Sequence, residues 1–318
     1  MRFLIAALIL MSAPAEAAAE RYALIVSGAT GGQEYARQYA EWTETLSAIL
    51  VDRMKFERER IIRLADADDD GAVATAANVR KTLVSLREKL AADDLLFVVL
   101  IGHGTFDGVD AKFNLVGPDL ESSHWLELLD AIPARLVLVN TTAGSFPFIE
   151  RLSGDRRVVV TATDSLAQRF DTVFPNYFIE AFQDDRTDID KNGRVSIWEA
   201  FFAASNAVRR HYQQRGQLAT ERALLDDNGD GVGREAAGTG DDGSLASRTY
   251  LDRPAPNAAP TDEVQVKLLQ KRASLEIEIE ELQVRRRFMS PDEYKQEFER
   301  LIIELSRTSR EIRDRVKS

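Results

Sequence analysis

An acidic loop near the middle of the chain offers the clearest set of metal-binding side chains. Residues 188–199 read DIDKNGRVSIWE, with oxygen-bearing side chains at positions 1, 3 and 5, glycine at 6 and glutamate at 12. This is the spacing of an EF-hand loop, in which position 7 offers its backbone carbonyl and position 9 often acts through water. The sequence therefore predicts a Ca²⁺ site. Its candidate ligands are Asp188, Asp190, Asn192, Arg194, Ser196 and Glu199.

A second acidic loop repeats only the first half of this pattern. Residues 226–231 read DDNGDG, so that side-chain oxygens again stand at positions 1, 3 and 5, but Ala237 occupies position 12. A half-site of this kind needs another carboxylate, and Glu235, Asp241 or Asp242 could supply it. The weaker candidate ligands are Asp226, Asn228 and Asp230.

A histidine and a group of hydroxyls follow two apolar runs. His103 lies in GHG after LLFVVLI, and residues 140–145, NTTAGS, follow LVLV. The chain has no cysteine, which excludes cysteine-dependent catalysis. The hydroxyl of Thr141 stays protonated at neutral pH and needs a base within about 3 Å, so that His103 could activate it only by direct hydrogen bonding.

The elements that must position these groups alternate along the chain. Continuous apolar runs predict strands that are buried on both faces, at Tyr22–Val26, Leu95–Ile101, Leu136–Val139 and Arg157–Thr161. Helical periodicity predicts helices at about 34–51, 76–90, 122–129, 172–182 and 197–212. Alternating strands and helices predict an α/β fold, a mostly parallel sheet sandwiched by helices. In such sheets functional loops follow the strand ends, here at 27–32, 102–104 and 140–145.

The order of these motifs resembles the caspase-like superfamily of cysteine peptidases, and most closely its legumain-like branch. LIVSGATGGQEYARQYAEW resembles the first strand and helix of legumain-like proteins, DDLLFVVLIGHG the strand of the catalytic histidine, and VVVTATDS the strand after the nucleophile. The resemblance covers about residues 21–250 and implies a caspase-like sheet. In those families the nucleophile loop typically reads Cys-x-Ser-Gly.

The resemblance also implies roles for single residues. Aligning Gly144 with the glycine of that loop places Thr141 where the catalytic cysteine stands, and His103 matches the catalytic histidine. Gly104 matches the glycine whose backbone N–H helps to hold an oxyanion. The loop is therefore expected to be a nucleophile loop without its nucleophile.

Composition limits the partners and the compartment. The formal charge is −11 and no long basic patch occurs outside the C-terminal tail, which argues against a nucleic-acid partner. Residues 1–19 combine one arginine, a short apolar run and small residues at 15, 17 and 19, as in a cleavable secretory signal. The apolar run is too short to span a bilayer. We expect a periplasmic or secreted protein with no membrane span after signal cleavage.

The C-terminal part differs from the rest of the chain. Residues 234–260 are rich in Gly and Pro and predict mostly a linker, with 251–260 as the stretch that ends the domain formed by 20–250. Residues 261–318 have apolar side chains at coiled-coil spacing, and Ser290-Pro291-Asp292-Glu293 predicts the start of a second helix. A C-terminal α-helical hairpin follows. It is either a solvated appendage or a surface for self-association or partner docking.

These observations predict an exported, calcium-binding homologue of caspase-like peptidases that is proteolytically inactive and acts by binding a protein or peptide. Two alternatives stay open at this point. One is a peptidase or other hydrolase that uses Thr141 with His103. The other is a structural, calcium-stabilised assembly module that associates through residues 261–318.

Overall fold

The computed structural model of the chain describes residues 19–66, 72–165, 168, 171–238, 240–253 and 262–316. Residues 1–18 of the expected signal peptide and 254–260 of the expected linker lie outside the described residues. Within the described ranges, no helix is long and apolar enough to cross a membrane.

Ten strands and eight helices are described. The strands are β1 (Arg21–Ser27), β2 (Ile61–Ala65), β3 (Ala72–Val73), β4 (Leu95–Ile101), β5 (Gly104–Phe106), β6 (Ala111–Phe113), β7 (Leu120–Glu121), β8 (Arg135–Asn140), β9 (Arg157–Thr161) and β10 (Leu224–Asp226). The helices are α1 (Gln33–Asp52), α2 (Ala76–Lys89), α3 (Ser122–Asp130), α4 (Pro147–Leu152), α5 (Phe174–Ala181), α6 (Ile197–Gln214), α7 (Glu263–Arg285) and α8 (Pro291–Val316).

Seven strands form one large sheet in the order β10-β9-β8-β4-β1-β2-β3. All neighbours in it are parallel except β10, which runs antiparallel to β9 at one edge. The remaining strands, β5, β6 and β7, form a small antiparallel sheet. The predicted α/β class with a mostly parallel sheet between helices is confirmed, whereas the caspase-like assignment stays a prediction.

Successive side chains of the central strands feed two separate cores. Phe97 and Val99 of β4 pack against α1, α5 and α6, whereas Val98 and Leu100 pack against α2, α3 and α4. All four side chains are at most 1% exposed. A strand that buries both of its faces must be apolar at every position, which is why these strands read as continuous apolar runs.

Several elements were not predicted. β2 (IIRLA) carries Arg63 in its middle and is only partly buried, because it lies near the edge of the sheet. The short strands β3 and β10 and the six-residue helix α4 gave no periodicity long enough to recognise. Helix α5 begins at Phe174 rather than near 172, and the carboxylate of Glu221 accepts the backbone N–H of Phe174 at 3.1 Å.

The segment after Arg234 is part of the domain, so the prediction that a linker begins there is wrong for the described residues of 234–252. The buried Asp227 carboxylate accepts hydrogen bonds from the backbone N–H of Gly243, at 2.8 Å, and of Ala246, at 2.6 Å. Leu251 is fully buried. Composition alone did not reveal that one buried carboxylate holds this Gly-rich segment in place.

Helices α7 and α8 fold back on one another as a hairpin. Leu275, Ile279, Leu282 and Leu301 form their shared apolar cluster, and Ser290 caps α8 by accepting a hydrogen bond from the backbone N–H of Glu293 at 3.3 Å. The outer face of α8 leaves Ile302 and Ile303 exposed.

The hairpin also docks on the domain through α7. Ala273 and Ile277 belong to the same apolar cluster as α6. Arg209 of α6 pairs with Glu281, and Gln270 donates a hydrogen bond to Ser247. Self-association through residues 261–318 stays a prediction.

Because α7 packs on the domain, truncating an isoleucine of α7 should destabilise the protein more than truncating an exposed isoleucine of α8. Ile277→Ala should lower the free energy of unfolding by about 2–5 kcal/mol, because it leaves a cavity under a packed helix. The matched control Ile303→Ala, at a half-exposed position of α8, should change it by about 0.5 kcal/mol or less. Chemical denaturation measures both, and equal effects would show that α7 is not part of the core.

Candidate functional site

His103 lies where the winding direction of the sheet reverses. The chain passes from β1 to β2 and β3 on one side, then returns to β4 and continues to β8 and β9 on the other. The carboxyl ends of β1 and β4 therefore flank a switch point, the usual ligand crevice of open α/β sheets. Thr30, from the loop after β1, and His103, from the loop after β4, meet there: His103 Nε2 is 3.3 Å from Thr30 O.

A carboxylate that was not predicted from the sequence completes this site. Asp171, just before α5, accepts a hydrogen bond from His103, with its Oδ1 2.8 Å from Nδ1. The Tyr39 hydroxyl is 3.3 Å from Nε2 on the other side of the ring. Asp171 lies ten residues after the end of β9, the one predicted strand whose end was not considered, and three residues before α5.

The Asp171 carboxylate shifts the protonation of the histidine. Its hydrogen bond to the ring and its negative charge raise the pKa of His103 above the usual 6.5, against the opposing effect of burial. Burial alone would raise the pKa of Asp171, but hydrogen bonds from His103 and Tyr35 outweigh it and lower that pKa below 3.8. The geometry lets the protonated ring donate from Nδ1 to Asp171, with Nε2 facing the Thr30 carbonyl.

Two tyrosines of α1 enclose the imidazole. The Tyr35 ring meets His103 edge-on with centroids 4.8 Å apart, and the Tyr39 ring does so at 5.7 Å. Tyr39 is 2% exposed, while Tyr35 is 36% exposed and forms the outer wall. This is a partly open aromatic surface with one partly buried carboxylate behind it, a composition suited to holding a peptide side chain.

Buried polar groups fix the segment that carries Asp171. Gln168 donates a hydrogen bond to the Asp171 carbonyl at 2.9 Å. The carboxylate of Glu221 accepts the backbone N–H of Val173 and, at 2.6 Å, the hydroxyl of Tyr212. Because Glu221 is 2% exposed, this anchor is shielded from water.

The Thr141 side chain is hydrogen-bonded within the protein. Its side chain is 1% exposed, and Oγ1 donates a hydrogen bond to the carbonyl of Leu100 at 2.8 Å. The backbone N–H of Thr141 uses the same carbonyl, at 3.0 Å. In the described part of the chain no hydrogen bond joins Thr141 to His103, so the direct contact that activation of this hydroxyl requires is not formed.

The neighbouring hydroxyls are also used structurally. Ser145 Oγ accepts the backbone N–H of Ala162 at 3.1 Å and of Thr163 at 3.2 Å. Thr142 packs on Gly104, where an added Cβ would come 2.3 Å from Thr142 Oγ1. Gly104 therefore has a packing role that requires glycine, beside the oxyanion role that the resemblance implies.

The first acidic loop has the geometry of a cation site. Carboxylate oxygens of Asp188, Asp190 and Glu199 lie within 4.8 Å of one another, close enough for one ion. The loop turns as the spacing predicts: Gly193 has φ +82° and donates its N–H to Asp188 Oδ2 at 2.9 Å. The oxygen-rich donor set is the kind that hard cations such as Ca²⁺ prefer, and these residues fit such an ion.

Glu199 is the most constrained member of this loop. Its Oε1 accepts the backbone N–H of Ile189 at 2.8 Å, and its Oε2 accepts that of Ser196 at 2.9 Å. Ser196 in turn caps α6, so that its hydroxyl is engaged in the helix start. Burial raises the pKa of Glu199 to about 7, and the charge of Asp190 adds to this against the hydrogen bonds. A bound cation would stabilise the ionised form.

The remaining predicted ligands of this loop have other contacts as well. The Asn192 amide donates to the Tyr250 hydroxyl at 2.9 Å. The Arg194 guanidinium stacks 3.8 Å over the Tyr250 ring and pairs with Asp252 at 2.9 Å. The loop is thereby tied to the segment that ends the domain.

The second acidic loop repeats the turn of the first. Asp226 Oδ2 accepts the N–H of Gly231 at 2.9 Å, as Asp188 does from Gly193, and Asp230 Oδ1 accepts that of Val232 at 2.7 Å. Asn228 Oδ1 accepts the N–H of Asp230 at 2.8 Å. Asp242 lies nearby, and burial together with the charges of these aspartates raises its pKa to about 6. In the described residues, however, only the first loop gathers three metal-binding side chains around one point.

Comparisons with known proteins assign no family. No family profile and no curated protein match the sequence. Among solved structures, the chain is similar to a protein from Geobacter sulfurreducens that was a structural genomics target. The two are 13% identical, the match covers 65% of this chain and 92% of that one, and the TM-score is 0.44. At this level of similarity the comparison assigns neither an ancestry nor an activity.

The Asp171–His103 pair predicts a measurable titration. In Asp171→Asn the pKa of His103 should fall, because the main cause of its rise is removed. The raised pKa of His103 contributes stability below about pH 6.5, which is lost as pH rises through the folded value; the lowered pKa of Asp171 contributes stability above about pH 4, lost on acidification. The difference in stability between parent and variant should therefore be greatest between these limits.

NMR titration of the imidazole and denaturation across this pH range check both statements. An unchanged His103 pKa in Asp171→Asn would contradict the pairing.

The cation site predicts calcium-dependent stability. The parent should melt at a higher temperature with Ca²⁺, gaining about 2.7 kcal/mol when Ca²⁺ is at 100 times its dissociation constant. Glu199→Gln should remove that gain, because it loses the bidentate carboxylate while glutamine can still serve in the capping box of α6. Calorimetric melting with Ca²⁺ and with chelator is the measurement. Identical melting of the parent in the two conditions would contradict the site.

Proposed function

We propose that this chain is an exported, calcium-stabilised domain of caspase-like ancestry that is catalytically silent and binds a protein or peptide in the crevice around His103. The observation that carries the proposal is the position of Thr141. Its hydroxyl, at the place of the catalytic cysteine in the resemblance, is buried and hydrogen-bonded to the Leu100 carbonyl rather than to the histidine.

This arrangement argues against the hydrolase alternative on chemical grounds. A threonine hydroxyl attacks only when a base removes its proton, and His103 already directs its ring nitrogens toward Asp171, Thr30 and Tyr39. The remaining polar groups suit recognition rather than bond cleavage.

The crevice has features that support peptide binding. It lies at the switch point of the sheet, has the exposed ring of Tyr35 as its wall, and is backed by the His103–Asp171 pair. An aromatic wall with hydrogen-bonding groups behind it combines contact area with orientation. The anchoring of Asp171 by Gln168 and Glu221 keeps these groups in place before a ligand arrives.

Calcium would have a structural role in this proposal. Asp188, Asp190 and Glu199 would hold it at the start of α6, the helix whose Tyr212 hydroxyl bonds Glu221. Glu221 in turn anchors the backbone after Asp171. Charge neutralisation at the loop would thus stabilise the helix that supports the crevice.

Two assays on one quenched-peptide library test the proposal. The parent, His103→Ala and Thr141→Ala should all leave the library uncleaved in the presence of Ca²⁺. The parent should nevertheless retain a subset of peptides, identified by mass spectrometry, and Tyr35→Ala should retain fewer because it loses the crevice wall. Val84→Ala, at a half-exposed position of α2, is the matched control and should behave as the parent.

If the parent cleaves peptides and both His103→Ala and Thr141→Ala abolish the cleavage, the hypothesis of a catalytically inactive protein is contradicted and the hydrolase alternative is supported. Equal peptide retention by Tyr35→Ala and Val84→Ala would contradict binding at the crevice.

A further inference from the structure

Residues 249–252, here called the closing segment, lie against the first acidic loop. The backbone N–H of Ile197, the first residue of α6, donates a hydrogen bond to the carbonyl of Thr249 at 2.9 Å. Ser196 and Tyr250 pair as an isolated antiparallel bridge. The closing segment is therefore fixed beside the end of the loop, although it comes from a distant part of the sequence.

The hydroxyl of Tyr250 reaches the middle of the same loop. The amide nitrogen of Asn192 donates to this hydroxyl at 2.9 Å and to Asp190 Oδ2 at 2.9 Å, so both of its protons are used. The amide oxygen Oδ1 is the other end of the group and accepts the backbone N–H of Arg194 at 2.8 Å. Because an amide oxygen has two lone pairs, Oδ1 keeps one that a cation could use.

The orientation of this amide decides whether Asn192 can be a ligand. In an EF-hand loop the residue at position 5 binds the ion through a side-chain oxygen, whereas an amide nitrogen is only a donor and cannot bind it. Of the two groups that hold the amide nitrogen, Asp190 is itself a candidate ligand. Tyr250 is the one that does not belong to the loop.

The ring of Tyr250 is held in turn by Arg194. The guanidinium carbon of Arg194 lies 3.8 Å from the centroid of the Tyr250 ring. The same guanidinium pairs with the carboxylate of Asp252 at 2.9 Å and donates to the carbonyl of Asp252 at 2.8 Å. Arg194 is also the residue at position 7, whose backbone carbonyl is a predicted ligand. One stacked ion pair therefore fixes both the tyrosine and this part of the loop.

We propose that Tyr250 is a positioning residue of the cation site, whose hydroxyl orients the Asn192 amide so that Oδ1 is available to Ca²⁺. This inference rests on the calcium site of the proposed function and adds a residue that lies outside the EF-hand spacing. Outer partners of metal ligands typically contribute about 10–100-fold to metal affinity. Because coupling between two sites is reciprocal, bound Ca²⁺ would in turn stabilise the contact between the loop and the closing segment.

Calorimetric titration of the full chain with Ca²⁺ tests the inference. Tyr250→Phe keeps the ring under Arg194 but removes the hydroxyl, and it should bind Ca²⁺ about tenfold more weakly than the parent. Tyr22→Phe, the matched control, removes a hydroxyl from a tyrosine that packs on the other apolar core, and it should bind as the parent does.

A second background separates orientation of the amide from general support of the loop. In Asn192→Asp both ends of the side chain are oxygens, and aspartate at position 5 also fits the EF-hand spacing. Tyr250→Phe should therefore weaken Ca²⁺ binding less in Asn192→Asp than in the parent. An equal loss in both backgrounds would make Tyr250 a general support and overturn the inference.

Two further outcomes distinguish this inference from the site on which it rests. If the parent binds Ca²⁺ and Tyr250→Phe binds it equally well, the inference alone is overturned. If the parent binds no Ca²⁺, the calcium site of the proposed function is contradicted and the inference is overturned with it.

Discussion

The hydrogen bond from the Thr141 hydroxyl to the Leu100 carbonyl determines what the loop after β8 can do. It joins the ends of two adjacent central strands, β4 and β8, as a second hydrogen bond to a carbonyl that also accepts the backbone N–H of Thr141. Because the Thr141 side chain is buried, its hydroxyl would be costly to leave without a partner. This hydrogen bond commits the proton of the Thr141 hydroxyl to the Leu100 carbonyl. The close packing of Gly104 against Thr142 then fixes the two loops against one another.

The crevice beside this contact is organised by charge rather than by a nucleophile. His103 and Asp171 come from distant parts of the sequence and meet because their loops leave the same edge of a parallel sheet. Each shifts the pKa of the other toward the ionised pair. The buried Glu221 then links this edge to α6, whose first turn is bound to the acidic loop, so that the crevice and the cation site share one helix.

The sequence was sufficient for features that depend on local pattern. Strands buried on both faces show as unbroken apolar runs, and the acidic loop and the cap at Ser290 follow fixed spacings, so the central sheet, the turn at Gly193 and the start of α8 were foreseen. Features that depend on long-range contacts were not. Asp171 is one aspartate among many until the fold brings it to His103, and only a buried Asp227 converts a Gly-rich segment into part of the domain. The direction of the Thr141 hydroxyl likewise depends on a carbonyl forty-one residues away.

A single introduced thiol would test whether the side chain at position 141 is buried. Because the chain has no cysteine, Thr141→Cys carries one reporter at the position of the expected nucleophile. Because position 141 is buried, iodoacetamide should modify this thiol in the native protein at least about tenfold more slowly than the thiol of Ala143→Cys. Ala143 lies two residues along the same loop and is partly exposed. Denaturant should remove the difference in rate. Equal rates in the native protein would show an accessible residue at position 141 and would contradict the buried, hydrogen-bonded hydroxyl.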